Sequence, residues 1–112
     1  MEITFQDDDF GKMILDKRAL VHKYGPRQAD LIHQRLAEMI AAENLVELKK
    51  LPAARMHPLK SNRIGQFSVD LVHPQRLIFE PANTPSPRKP DGTYLWLKVT
   101  QVRIIEIADT HE

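Results

Sequence analysis

The spacing of apolar residues changes from helical to alternating near the middle of the chain. Up to residue 51, apolar side chains recur every three or four positions, as they do on one face of a helix, whereas from Phe67 onward they alternate with polar ones. Pro52 lies between the two parts and lacks the backbone donor that a continuing helix would need. Helices are therefore predicted first and strands second. That order is typical of an α+β domain with helices on one face of a mainly antiparallel sheet.

Two antiparallel helices are predicted in the first part. Apolar residues at near-helical spacing from Phe10 to Tyr24 indicate the first helix, and the aspartates before it offer an N-cap. Gly25 and Pro26 fit a tight junction, because glycine tolerates the left-handed position after one helix and proline suits the first turn of the next. The second helix is predicted over about residues 26–44, and its apolar stripe is Ala29, Ile32, Leu36, Met39 and Ile40.

The polar side chains of the second helix are expected to lie mostly outward. His33 lies beside the apolar stripe and is predicted at the edge of the core rather than as a ligand. Residues 45–51 favour a short further helix, which Pro52 would end. The outward set is Arg27, Asp30, Gln34, Arg35 and Glu38.

Strands are predicted at residues 3–5 and again in the second part of the chain. A hairpin is indicated by an alternating run at residues 66–71, a turn at 73–75 and a second strand at 76–80. Residues 102–108 are apolar on both faces, as expected of a strand inside a sheet. Phe67, Val69, Leu71, Leu77 and Phe79 are predicted to pack against Phe10, Ile14, Ile32, Leu36 and Ile40.

The segment at residues 81–93 is predicted to be an exposed loop inserted between strands. It holds four prolines among asparagine, serine, threonine and basic residues, a composition that favours extended loop over packed structure. Two interpretations stay open, an ordinary flexible insertion and a protein-docking element. Residues 93–100 favour neither helix nor strand clearly.

Length and composition indicate one domain spanning residues 1–112. A chain of 112 residues that is 42% apolar can bury one modest core. No apolar run reaches the roughly 20 residues of a membrane span, and the acidic start lacks the basic flank of a secretory signal. The absence of cysteine excludes disulfides and thiolate metal sites. A soluble cytoplasmic protein without membrane contact is therefore expected.

Basic residues are concentrated in one segment although the whole chain has a net charge of only +1. Residues 49–63 contain five lysines and arginines and one histidine but no acid. Charge alone slightly favours a solvated basic loop over a nucleic-acid-binding surface. The cations of this segment are Lys49, Lys50, Arg55, Lys60 and Arg63.

Histidines and cations in the second part offer the groups needed for acid/base chemistry. Asp109 precedes His111 by two positions, so an extended chain would aim both side chains the same way and the carboxylate could orient the imidazole. RNA cleavage by the 2′-hydroxyl needs a base, an acid and cations for the phosphate, which His57, His111 and nearby cations could supply. A metal site formed by His57, Asp109 and His111 is the competing chemical interpretation, but no close ligand-pair motif supports it. In the third interpretation, His57 is a surface residue and His111 a terminal residue, and neither has a function.

The order and spacing of these residues resemble the HigB-type killer proteins of the RelE/ParE toxin superfamily. In that family the pattern is close to R-L-H-P-L-K-G, an aromatic strand with S-V, W-R-L-x-F and a closing D-Y-H. The likeness covers about half of the chain, and the proline-rich insertion lies outside it. The matching residues here are the run Arg55-Met56-His57-Pro58-Leu59-Lys60, then Gly65, Phe67, Ser68-Val69, the run Arg76-Leu77-Ile78-Phe79, and Glu106, Asp109 and His111.

The resemblance implies a RelE-like α+β fold and a toxin of a type II toxin-antitoxin system. The implied activity is a metal-independent endoribonuclease without cofactor that cuts messenger RNA on the ribosome. The implied partner is a helix-turn-helix, HigA-like antitoxin, through which alone the toxin would reach operator DNA. A non-catalytic protein of the same fold is the alternative: a gyrase inhibitor, or a degenerate toxin that binds only its antitoxin.

Roles carry over from the resemblance position by position. His57 and His111 would be the acid/base pair, Lys60 and Arg76 the phosphate-stabilising cations, and Asp109 the acid of the closing motif. Two departures stand out. Thr110 occupies the usual tyrosine position, and no aromatic precedes Arg76, so that Phe67 or Trp96 would have to stack a base. The predicted RNA contacts are Arg55, Arg63, Phe67 and Thr110.

Overall fold

The computed structural model describes residues 1–110, which form a five-stranded sheet with helices packed on one face. The α+β class predicted from the hydrophobic spacing is confirmed. In chain order the elements are β1 (Glu2–Phe5), α1 (Asp8–Leu15), α2 (Lys17–Tyr24), α3 (Pro26–Ala41), α4 (Leu45–Lys49), β2 (His57–Pro58), β3 (Phe67–Asp70), β4 (Gln75–Pro81) and β5 (Gln101–Asp109), with 3-10 turns at Ser61–Arg63 and Trp96–Lys98.

The sheet has the strand order β1-β5-β4-β3-β2. The first strand pairs parallel to β5, and the other neighbours are antiparallel. The predicted hairpin is confirmed as β3 and β4. β5, which is apolar on both faces in sequence, has a neighbour on each side, as predicted. This arrangement leaves β2 at one edge, next to β3.

The predicted continuous first helix is wrong, because the chain breaks at Asp16. This residue ends α1 in an extended conformation with ψ of 100°, and its Oδ1 accepts hydrogen bonds from the amides of Arg18 and Ala19. The same aspartate therefore caps the start of α2. The junction at Gly25 and Pro26 is confirmed, with Gly25 at a φ of 84° that an L side chain would strain.

The apolar stripe of α3 faces the sheet, with two errors in the prediction. Ile32, Leu36 and Met39 are buried in the core as predicted. Ile40 is instead 62% exposed, because the helix turns that position away from the sheet. Arg35, predicted outward, is only 5% exposed. Its guanidinium donates hydrogen bonds to the Glu38 carboxylate and to the backbone carbonyl oxygens of Asp70 and Ala53.

His33 lies at the edge of the core, as predicted. Its Nε2 is 2.8 Å from the carbonyl oxygen of Ile14, a contact that joins α3 to α1. The strand residues predicted to form the core are all buried, and Ile14, Ile32 and Leu36 share one cluster with them, with Phe10 packed partly against it. Those strand residues are Phe67, Val69, Leu71, Leu77 and Phe79.

The proline-rich segment is a largely exposed excursion between β4 and β5, as predicted. Asn83 closes its base by accepting hydrogen bonds from the amides of Thr100 and Gln101. Near its tip the side chain and the amide of Thr93 bond to Asp91, and these hydrogen bonds lower the pKa of the Asp91 carboxyl. The returning chain then lays Tyr94 and Trp96 against the core. Within residues 1–110, no helix is both long and apolar enough to cross a membrane.

Truncation of the α3 stripe tests this packing. Leu36→Ala removes a buried side chain and leaves a cavity, so we expect a loss of about 2–5 kcal/mol in the free energy of unfolding. Ile40→Ala, one turn further along the same helix, is the matched control and should change stability by less than about 0.5 kcal/mol. Denaturant unfolding followed by circular dichroism measures both. Equal effects of the two substitutions would contradict the observed orientation of α3.

Candidate functional site

The residues of the candidate site lie on the sheet face opposite the helices. Register pairs His57 with Ser68 across β2 and β3, and Asp70 with Arg76 across β3 and β4. Their sequence neighbours Phe67, Val69, Leu77 and Phe79 belong to the core beneath the helices. Because successive side chains of a strand point to opposite faces, these polar residues share the face away from the helices, where Ser68 is itself fully buried.

An open pocket of about 510 Å³ lies where this face meets the end of the helical part. Five of its eight lining residues are cationic or imidazole side chains, and none is acidic. Four of these come from the basic segment at residues 49–63, and Arg76 comes from β4. Such a lining attracts anions, and its volume is in the range of small-ligand sites. The lining consists of Lys49, Leu51, Pro52, Arg55, His57, Pro58, Lys60 and Arg76.

A backbone contact fixes the orientation of the His57 ring. Its Nδ1 lies 3.1 Å from the carbonyl oxygen of Arg55. A carbonyl only accepts, so Nδ1 carries the hydrogen and in the neutral ring Nε2 keeps its lone pair. Nε2 lies 3.5 Å from Nη1 of Arg76. The nitrogen able to accept a proton is therefore beside a guanidinium that can neutralise a phosphate.

Arg76 is held from two sides. Its Nη1 donates to the carbonyl oxygen of Thr110 at 3.2 Å and to the Thr110 hydroxyl at 3.1 Å. Its Nε lies 3.6 Å from Oδ1 of Asp70, an ion-pair distance rather than a hydrogen bond. The guanidinium is therefore positioned before any ligand binds.

Thr110 differs from its predicted use as an RNA contact. Thr110 is only 7% exposed, and its hydroxyl accepts a hydrogen bond from Arg76. The hydroxyl therefore faces the arginine in this structure. Sequence gives the position of Thr110 in a motif but not the direction of its side chain.

Phe67 was predicted to stack an RNA base, and the structure places its ring inside the core. The residue is 3% exposed, and its ring stacks on Phe79 with 5.8 Å between centroids. Tyr94 and Trp96 pack against the same ring. Phe67 is a core residue because it alternates with Ser68 and so faces the helices.

The remaining predicted residues are divided between the pocket and its surroundings. Arg55 and Lys60 line the pocket, as their place in the basic segment suggests. Arg63 is directed elsewhere, since its Nη2 lies 3.3 Å from Glu106 and its Nη1 donates to Gln66. Asp109 is paired in register with Gln75, one position beyond the pair of Arg76 with Ala108, and is not a lining residue. His111 lies outside the described residues.

Asp70 is the site residue that sequence reasoning missed. Its carboxylate lies between two arginines, with Oδ2 at 3.6 Å from Nε of Arg55 and Oδ1 at 3.6 Å from Nε of Arg76. In sequence Asp70 is only the last polar residue of an alternating strand. The β3–β4 register, which pairs it with Arg76, is the signal that would have identified it.

Metal chemistry was considered from the histidines and Asp109. Among residues 1–110, no group of three or more histidine, aspartate or glutamate side chains is arranged to hold a metal ion.

Comparison with solved structures identifies a relative in fold. The chain is similar to a YoeB/ParE toxin from Agrobacterium tumefaciens, with a TM-score of 0.54 and 12% sequence identity over 99% of this chain and 100% of that one. No protein-family model matches the sequence. No curated protein matches it either. At this identity the likeness concerns the fold alone, so the chain shares the fold of that solved toxin.

Proposed function

We propose that the protein is the toxin of a type II toxin-antitoxin system and cleaves messenger RNA without a metal ion. One observation carries the proposal: the Nε2 atom of His57 and the guanidinium of Arg76 lie side by side in a pocket lined with cations. The RelE/ParE-like fold supports it, because the similar solved structure is named a toxin. The sequence resemblance to HigB-type proteins supports the finer assignment to messenger RNA.

The proposed reaction is attack of a ribose 2′-hydroxyl on the adjacent phosphorus. His57 accepts the hydroxyl proton at Nε2, the bond from the 2′ oxygen to phosphorus forms, and the bond to the 5′ oxygen breaks. His111 returns a proton to the leaving 5′ oxygen, since the resemblance makes it the other member of the acid/base pair. Arg76 and Lys60 stabilise the charge that develops on the phosphate oxygens. The products are a 2′,3′-cyclic phosphate and a 5′-hydroxyl.

Substrate binding is proposed to depend on the local basic surface. With a net charge of +1 the whole chain exerts little attraction on RNA. The pocket instead concentrates Lys49, Arg55 and Lys60 at one site, where they can contact the phosphates on either side of the cut. The message would be presented on the ribosome, and a HigA-like helix-turn-helix antitoxin would neutralise the toxin and connect it to operator DNA.

A non-catalytic binding module is the second candidate. It would inhibit gyrase or bind only an antitoxin. Two observations favour it: Asp109 is not among the pocket residues, and the Thr110 hydroxyl is occupied by Arg76. Both reduce the number of groups of the closing motif that could meet a substrate.

Growth and RNA cleavage in a bacterial host separate the two candidates. Inducible expression of the wild-type chain should arrest growth and produce cuts at regular codon positions, seen by mapping RNA 5′ ends. His57→Ala and His111→Ala should each abolish the cuts, because base and acid act in the same step. His22→Ala is the control, since His22 is an exposed histidine of α2.

Each other outcome points to a different protein. Arrest without cuts, unchanged in both histidine variants, would support the gyrase inhibitor. No arrest at all would support the module that binds only its antitoxin. Loss of activity in His22→Ala as well would show that the assay reports expression level and not chemistry.

The Thr110 hydroxyl provides a second test. Thr110→Val keeps the shape of the side chain but removes the hydroxyl 3.1 Å from Arg76, which also holds the Thr110 carbonyl. We expect cleavage in single-turnover assays to fall on the order of tenfold, the effect of losing one hydrogen bond to a charged group. Thr110→Ser restores a hydroxyl and should recover most of the rate. Equal rates for the valine and serine variants would contradict the positioning role.

A further inference from the structure

We propose that Asp70 is a positioning residue that holds Arg55 and Arg76 in the orientation needed for cleavage, at the expense of affinity for RNA. The inference rests on the proposed function, since it concerns how the same pocket treats the phosphate. Asp70 contacts two of the residues that line the pocket, Arg55 and Arg76. We assign its effect to these two arginines.

The geometry of the carboxylate fits this role. Each of its oxygens faces the Nε of a different arginine at 3.6 Å, and the side chain is 25% exposed. Contact through Nε does not use the outer guanidinium nitrogens, and Nη1 of Arg76 is the atom that lies near His57 and donates to Thr110. Oδ1 is buried and accepts no hydrogen bond from the described residues. Burial of a carboxylate oxygen without a hydrogen bond destabilises the fold unless nearby positive charges offset the loss of hydration.

The backbone of Asp70 is anchored to the interior of the protein. Its carbonyl oxygen accepts a 2.7 Å hydrogen bond from Nε of the buried Arg35, and its amide donates to the carbonyl of Ala54 at 2.8 Å. Arg35 also donates to the carbonyl of Ala53 at 3.0 Å and pairs with Glu38. Helix α3 thus fixes the end of β3 and the 53–54 segment relative to one another.

The same anchor determines the conformation of Arg55. This residue has a φ of 47°, in the left-handed region that strains an L residue. On one side of Arg55, the hydrogen bond from the Asp70 amide to the Ala54 carbonyl holds the chain. On the other side, the Arg55 carbonyl accepts a hydrogen bond from Nδ1 of His57. One network therefore positions Arg55, Arg76 and the ring of His57 together.

The charge of Asp70 opposes anion binding. Two guanidinium groups and one carboxylate leave the cluster with a local charge of +1, and removal of the carboxylate charge would leave +2. RNA should then bind more tightly, although the freed arginines no longer start in the position that fits the transition state. Only interactions stronger in the transition state than in the bound substrate accelerate the reaction. Affinity and rate should therefore change in opposite directions.

Asp70→Asn tests this in the full chain. With a single-stranded RNA that carries a 2′-deoxy nucleotide at the mapped cut, we expect the Kd to fall about two- to tenfold at low salt. Single-turnover cleavage of the translated message should fall at least about tenfold. Glu80→Gln is the matched control, because Glu80 pairs with Arg103 at 3.1 Å outside the pocket. It should leave both quantities within about twofold.

Nuclear magnetic resonance gives a readout that does not require activity. The Nε–H signals of Arg55 and Arg76 should move in Asp70→Asn while that of Arg103 stays in place. If cleavage is unchanged, or if affinity and rate fall together in a variant that melts normally, the proposal is overturned. If the wild-type chain cuts no message, the proposed function fails, and the RNA affinity and arginine signals still decide whether Asp70 holds the pair.

Discussion

The pairing of β3 with β4 separates the two faces on which the protein depends. Val69 opposite Leu77 turns apolar side chains toward the helices, while Asp70 opposite Arg76 turns charged ones to the opposite face. A slip of one residue would exchange these faces, because side chains alternate along a strand. The β3–β4 register therefore determines both the apolar core and the charged cluster. Burial of Leu77 and Val69 therefore stabilises the position of Arg76 as well as the fold.

The candidate site forms where the chain around Arg55, which has a positive φ, lies against the regular sheet. The basic segment after α4 reaches β2 at the sheet edge through Arg55, whose left-handed backbone directs its carbonyl at His57. The bond of Arg35 to the Asp70 carbonyl ties that segment to α3. Cations collect in the pocket although the whole chain is nearly neutral. The positive electrostatic potential that attracts an anion is therefore local to the pocket. Because the pocket is accessible to solvent, added salt should strongly weaken this attraction.

The fold was largely predictable from the sequence, because its signals are periodic and local. The Leu36 stripe, the Gly25 and Pro26 junction and the two periods of the chain each depend on neighbours close in sequence. The break at Asp16 was missed, since the apolar spacing continues through it and only the cap reveals two helices. Arg35 was assigned outward because an arginine is rarely buried; here backbone carbonyls from another element satisfy it.

The site was predictable only in part. His57, Arg55 and Lys60 share one segment, and the structure brings them to one pocket with Arg76. The positions of Phe67, Thr110 and Asp70 could not be read in the same way, because each depends on which face of a strand or which partner across the sheet it meets. A family motif gives the order of residues along the chain, whereas the function of a side chain depends on contacts between strands.

The chemical ends left on the cut RNA test the central claim most directly. Messages cleaved in a translation reaction with the purified protein should carry a 5′-hydroxyl on one fragment and a 2′,3′-cyclic phosphate on the other. A 2′-deoxy nucleotide at the cut position should abolish cleavage, because the attacking oxygen is then missing. Fragments with 5′-phosphate ends, or cutting that persists at the 2′-deoxy position, would contradict attack by the 2′-hydroxyl and with it the role of His57 as base.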